Sequence, residues 1–179
     1  MLSRRSQAKV TYLRERDNLV TVEKDLTDVE AAKVIARSAA NVIQARVCGC
    51  VAGVVSRCLE AVFEEPYEFS MSFVERRGRT EVDLSFKRRG REVDPVSASG
   101  GGVVDVASFA LRLAALLLSA AITRKILILD EPFKFVSHEF RHRIACLLTS
   151  LAKEMGIQII MVTHIDELKV GLVHELTGN

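Results

Sequence analysis

Apolar residues recur three and four positions apart through the first third of the chain. Leu19, Val22, Leu26 and Val29 form a heptad stripe within the charged run RERDNLVTVEKDLTDVE. That pattern predicts a helix able to pair with another. The stripe is too short for an independent coiled coil and reads as the root of one. A second helical stretch follows, from about Thr27 to Glu64. Its apolar positions (Ile35, Val42, Ile43, Val47, Val51, Val54, Val55, Leu59 and Val62) widen into a face that needs a core. Pro66 is expected to end it, since proline removes a backbone donor and crowds the preceding turn.

The period then changes to two. Phe69, Met71 and Phe73 alternate in YEFSMSFVE, and Val82, Leu84 and Phe86 alternate in TEVDLSFK. With RRGR and Gly78 between them, the two runs predict a β-hairpin, and KRRGRE centred on Gly90 predicts a second turn. Beyond SASGGG, an apolar helix of about 17 residues should run through Ala120. ILIL (Ile126–Leu129) is short, β-prone and apolar on both faces, which fits a buried central strand covered by helices. A helix from Ser137 to Met155 with Gly156 as its stop, a strand IQIIMVTH ending at His164, and a short helix with an edge strand near Leu172–Leu176 complete the order. Strand, helix, strand implies parallel pairing in an α/β sheet.

Composition adds bounds. The 179 residues are 49% hydrophobic, 27% charged and 6% aromatic, with a net charge of +2. That is one globular domain with a sizeable core, and the charge is too small to name a partner. Charges follow the N-terminus where a signal sequence would be apolar, and the run Phe109–Ile122 holds Arg112 and is short for a bilayer span. A cytoplasmic protein with no membrane partner is expected. Arg112 is expected to pair with an acid or to reach the surface. Cys48, Cys50 and Cys58 share one helix without metal-site spacing, and they read, with Cys146, as small apolar residues in a reducing compartment. His138 and His142 share a helix face but lack a third ligand. The arginines around Gly78 and Gly90 would suit DNA phosphates, but charged hairpin tips also block edge-to-edge aggregation.

Chemistry concentrates at two strand ends. In an open α/β sheet, ligands sit beyond the carboxyl ends of the strands. One strand ends Asp130-Glu131-Pro132 and the other Thr163-His164. As parallel neighbours they would bring two carboxylates and an imidazole together. One carboxylate can hold Mg²⁺ and a second can orient a water, while an imidazole can contact phosphate. The glycines before the long helix could present free N–H groups to an anion.

In this order, SASGGGVVDVASFALRLA, ILILDEPF and IIMVTHIDEL resemble the signature motif, Walker B strand and switch-histidine strand of ABC-type ATPases. The resemblance is to the SMC and SbcC-like DNA-repair branch, and the pattern is similar to that of phage-encoded ATPases of this kind. It covers the chain from about residue 30 onward. It implies a coiled-coil stub at 1–30 and, at 31–179, the C-terminal lobe of an ABC/SMC head, a mixed α/β sheet with covering helices. It implies that Asp130 helps hold Mg²⁺, that Glu131 polarises the attacking water and that His164 contacts the γ-phosphate. It implies that Ser99, Gly100, Gly101 and Gly102 touch the γ-phosphate of ATP held by an opposing subunit, and that Phe133–Ser137 is the D-loop at the dimer interface.

Three departures qualify that pattern. No GxxxxGK(S/T) phosphate loop occurs in the chain. Ser137 stands where the D-loop usually has Asp. Aligning back from ALRLA puts Gly100, not Ser99, at the signature serine. The expectation is therefore half of an ATPase head, working as a homo- or heterodimer with a Walker A-bearing subunit, on DNA in repair or recombination. A nuclease partner is implied by the resemblance alone. The alternative is a degenerate, non-catalytic head that dimerises or docks on DNA or protein. A third reading is a self-sufficient Mg²⁺-dependent nuclease built on the two carboxylates.

Overall fold

The computed structural model describes residues 2–65, 67–94, 101–119 and 124–175. They fall into two compact units, Met1–Ala45 and Arg46–Asn179. A single helix, α1 (Leu2–Val62), replaces the two stretches expected from sequence. Nothing between the two apolar patterns breaks a helix, so one helix carries both. In the first unit the heptad residues Leu19, Val22, Leu26 and Val29 are all exposed.

In the second unit α1 contributes Val51, Val55, Cys58, Leu59 and Val62 to the core, one face at i, i+4, i+7. The helix stops four residues before Pro66. Arg143 donates to the Val62 carbonyl at 3.3 Å and pairs with Glu64 at 2.8 Å, which satisfies part of the helix end.

The hairpin follows the period-two pattern. β1 (Glu68–Arg76) and β2 (Arg79–Arg88) are antiparallel, with Phe69 opposite Phe86, Met71 opposite Leu84 and Phe73 opposite Val82. Both predicted turns have paired positive φ: Arg77 at 51° with Gly78 at 72°, and Arg89 at 51° with Gly90 at 73°. That is the primed turn whose twist matches antiparallel strands. The second turn leads into β3 (Arg91–Val93).

Helix α2 (Gly101–Leu118) buries Val103, Val106, Ala107, Phe109, Ala110, Leu113 and Ala114 against the same core, while Arg112 is exposed. By length and composition, α1 and α2 could each cross a membrane. For α2, that composition is what a core helix needs. β4 (Ile126–Asp130) and β5 (Gln158–Val162) pair in parallel, joined by α3 (His138–Met155), which ends on Gly156 at φ 62°. A 3-10 turn, Asp166–Leu168, follows β5. Residues 173–175 form no strand, and Leu176 lies outside the described residues.

One expectation needs correcting. β4 is not buried on both faces. Leu127 and Leu129 enter the core, but Ile128 is 74% exposed, and Ile126, Ile160 and Val162 are also exposed. Among the described residues the helices cover one side of this sheet only.

Candidate functional site

The carboxyl ends of β4 and β5 carry the site. Asp130 is the last residue of β4, opposite Val162, and is exposed. Glu131 follows with φ 42°, a left-handed conformation rare for a residue with a side chain. Its N–H continues the ladder to the Val162 carbonyl at 3.0 Å. The twist aims its carboxylate across to the end of β5. There the His164 backbone N–H donates to Oε1 at 3.0 Å, and His164 Nδ1 lies 2.8 Å from Oε2. That second approach lacks hydrogen-bond alignment, so Oε2 is shielded from solvent yet unsatisfied. The Thr163 hydroxyl accepts the Ile165 N–H at 3.1 Å and turns the chain, leaving the His164 side chain 66% exposed.

Glu131 and His164 are thus brought together, a shielded carboxylate beside an accessible imidazole, while Asp130 precedes them at the end of β4 as an exposed carboxylate. No cluster of three or more His, Cys, Asp or Glu able to hold a metal occurs among the described residues. A Mg²⁺ carried on phosphate needs only one or two carboxylates besides phosphate and water. The open Asp130 fits that requirement, whereas Glu131 Oε2, shielded and 2.8 Å from His164 Nδ1, is not open to a cation.

The glycines have a second explanation. A Cβ on Gly101 would stand 2.6 Å from Phe135 Cβ, and one on Gly102 would stand 3.1 Å from the Phe135 carbonyl and Val136 Cα. One turn further along α2, Asp105 accepts the Phe135 N–H at 2.8 Å. Burial pushes the Asp105 carboxyl above its usual pKa, and the Phe135 amide opposes that. Phe133 and Val136 are buried, and Phe133 packs on Phe109 at 5.3 Å. The segment between β4 and α3 is therefore seated on the first turn of α2, and glycine is what permits the approach. Ser99 and Gly100 lie outside the described residues. Ser137 precedes α3 without a side-chain cap.

Sequence reasoning missed Asp105 and Phe135, whose contact spans thirty positions and leaves no periodic trace. It also missed Glu167, which lies 2.8 Å from His138 Nε2 and 3.4 Å from Arg141 and so ties the turn after β5 to α3. At the hairpin tips, Arg76 pairs with Glu81 and Asp83, and Arg88 and Arg89 both pair with Glu65. Hydrogen bonding from Arg89, then the charges of both arginines, holds the Glu65 carboxyl below its usual pKa.

Comparison with known proteins bears on the fold. Residues 108–170 match the family model described as AAA domain, putative AbiEii toxin, Type IV TA system. No curated protein matches the chain. Solved structures that share its fold include three of SMC heads. One comes from work on ATP-driven dimerization and DNA-stimulated activation of SMC ATPases, at 19% identity and TM-score 0.54, over 72% of this chain and 74% of that one. The second is an SmcHead bound to the C-winged helix domain of ScpA, at 16% and 0.51, over 68% of this chain and 35% of that one. The third is a Smc head domain with an extended coiled coil, bound to the C-terminal domain of ScpA derived from Pyrococcus furiosus, at 17% and 0.52, over 67% and 29%. The fold is that of SMC ATPase heads, entered by a long N-terminal helix. The chain spans about a third of each ScpA-bound head.

Proposed function

We propose that the chain is the C-terminal lobe of a split SMC-type ATPase head, one component of a composite ATP-hydrolysing site acting on DNA in repair or recombination. The observation that carries the reading is the Glu131–His164 pair at the ends of two parallel strands. Glu131 keeps a left-handed backbone that costs a residue with a Cβ on the order of 1–3 kcal/mol. A structural turn there would be cheaper with glycine or asparagine.

In this reading Asp130 holds the Mg²⁺ that accompanies ATP, Glu131 polarises the attacking water and His164 meets the γ-phosphate. The Ser99–Gly102 stretch faces nucleotide on an opposing subunit. The phosphate loop comes from outside these 179 residues, on a second chain that bears Walker A. Residues 1–30 are the root of a coiled coil and 31–179 the lobe itself. The assembly is cytoplasmic, of phage type, and a homo- or heterodimer through the nucleotide, with DNA and a nuclease as further partners. The test is ATP turnover by the chain with its phosphate-loop partner: Glu131→Gln should abolish it, and turnover indifferent to that change would refute the assignment.

A second reading is a non-catalytic docking module. It is favoured by the fit of Gly101 and Gly102 to Phe135 and Val136, which gives two of the glycines a use that needs no nucleotide. Partner binding by the chain with no turnover in any combination would support it.

A further inference from the structure

The path from Glu131 to Phe135 is short and has few joints free to turn. The Glu131 N–H is fixed to the Val162 carbonyl at 3.0 Å, and its φ is 42°. Pro132 follows, and a proline ring locks φ at roughly −65°. Phe133 is buried and packs on Phe109 of α2 at 5.3 Å. The Val136 N–H donates to the Phe133 carbonyl at 3.2 Å and closes the segment into a turn, with the Val136 side chain buried. A shift of this turn is therefore passed to the backbone at Glu131. That backbone aims the carboxylate that accepts the His164 N–H at 3.0 Å.

One helix holds the turn in place. Gly101 and Gly102 leave room for Phe135 and Val136, and Phe109 packs on Phe133. Between these contacts, Asp105 Oδ2 accepts the Phe135 N–H at 2.8 Å. The glycines permit the approach and the rings fill it, but neither is directional. A hydrogen bond is, so Asp105 fixes where along α2 the turn sits. Phe135 is 65% exposed, so its ring is not what anchors the segment. Burial works against a charged acceptor at Asp105, and the Phe135 amide works for it. A charged acceptor makes a bond roughly twice as strong as a neutral one.

We propose that Asp105 is a positioning residue for Glu131: through the Phe135 N–H it holds the turn after β4, and with it the Glu131 carboxylate, within reach of His164. The proposal rests on the split-head reading for the chemistry of Glu131. It adds a residue, away from both strand ends, on which that chemistry depends. Asp105 acts through the backbone and touches no reacting atom.

The test is amide hydrogen exchange, followed by NMR on the purified full chain as wild type, Asp105→Ala and Asp105→Asn. The Phe135 N–H reads the bond itself. The His164 N–H, bonded to the Glu131 carboxylate, and the Glu131 N–H, bonded to the Val162 carbonyl, read the position of Glu131. The Gln158 N–H, bonded to the Lys125 carbonyl at 2.8 Å at the other end of the sheet, reads a general loss of stability. Asp105→Ala should lower protection of Phe135 about tenfold, the scale of a hydrogen bond to a charged group. Protection of Glu131 and His164 should fall with it, while Gln158 stays at its wild-type value. Asp105→Asn, whose side-chain oxygen can accept the same bond, should keep His164 nearer to wild type than to the alanine variant. Loss of protection at Phe135 with His164 unchanged would make Asp105 a local staple and overturn the proposal. A loss shared equally by Gln158 would also overturn it, since a merely stabilising contact does that. The chain is measured without a partner, so either failure leaves the split head standing. A pair that never turns over ATP would refute the split head and leave the Asp105 coupling intact.

Discussion

Replacing Gly101 by alanine tests how the segment after β4 is seated. The new methyl would stand 2.6 Å from Phe135 Cβ and 2.9 Å from its Cγ. Real Cβ atoms do not approach so closely, so either α2 or the Phe133–Val136 segment must move. Forcing a methyl into a filled site costs about 1–3 kcal/mol. The helix propensity of alanine returns less than about 1 kcal/mol, and less still at a first turn. The net expectation is a loss of about 1–2 kcal/mol. With a urea dependence of about 2 kcal/mol per molar, the unfolding midpoint should fall by about 0.5–1 M. Tyr67, buried in the second unit, reports it by fluorescence, and Tyr12, which is exposed, gives a flat background. Rescue is specific: Phe135→Ala keeps the offending Cβ and should help little, whereas Phe135→Gly should restore the midpoint. A Gly101→Ala protein as stable as wild type would refute the seating.

Other outcomes follow from single contacts. Leu59→Ala, at a fully buried position, should cost about 2–5 kcal/mol by urea unfolding. Gly78→Ala, at φ 72°, should cost about 1 kcal/mol by the same measure, because the left-handed region penalises a Cβ. Burial pushes the Cys58 thiol up to about 11, so at pH 8 a thiol reagent should label exposed Cys50 and Cys146 quickly and Cys58 only on unfolding. Since the unfolded thiol ionises near 9, this contribution to stability is intact below pH 9 and declines as pH rises towards 11, at up to about 1.4 kcal/mol per unit. A pH-independent urea midpoint across that window would contradict it.

Much of this arrangement was legible in the sequence because its signals are local. Phe69, Met71 and Phe73 announced the hairpin strand, since a period of two leaves one way to put three large side chains on one face. Asp130, Glu131 and His164 were legible because strand ends are marked by the last apolar residue. The continuity of α1 was not, because a heptad stripe and a core face look like two helices when their partners differ. The bare side of β4 was not legible either: apolar residues on both faces record what a strand was selected to touch, and Ile128 carries no mark of where its neighbour resides. The Asp105–Phe135 bond joins residues thirty apart and rests on tertiary placement alone.

The central claim is that Asp130, Glu131 and His164 complete an ATPase site whose phosphate loop lies on another polypeptide. The measurement that tests it most directly is the rate of ATP hydrolysis by the chain alone, by the chain with its phosphate-loop partner, and by the pair carrying Glu131→Gln. The account predicts no turnover alone, turnover by the pair, and a loss of about a hundredfold or more with glutamine, the scale of general-base catalysis. Turnover by the pair that survives Glu131→Gln unchanged, or a pair that binds ATP and never hydrolyses it, would contradict it.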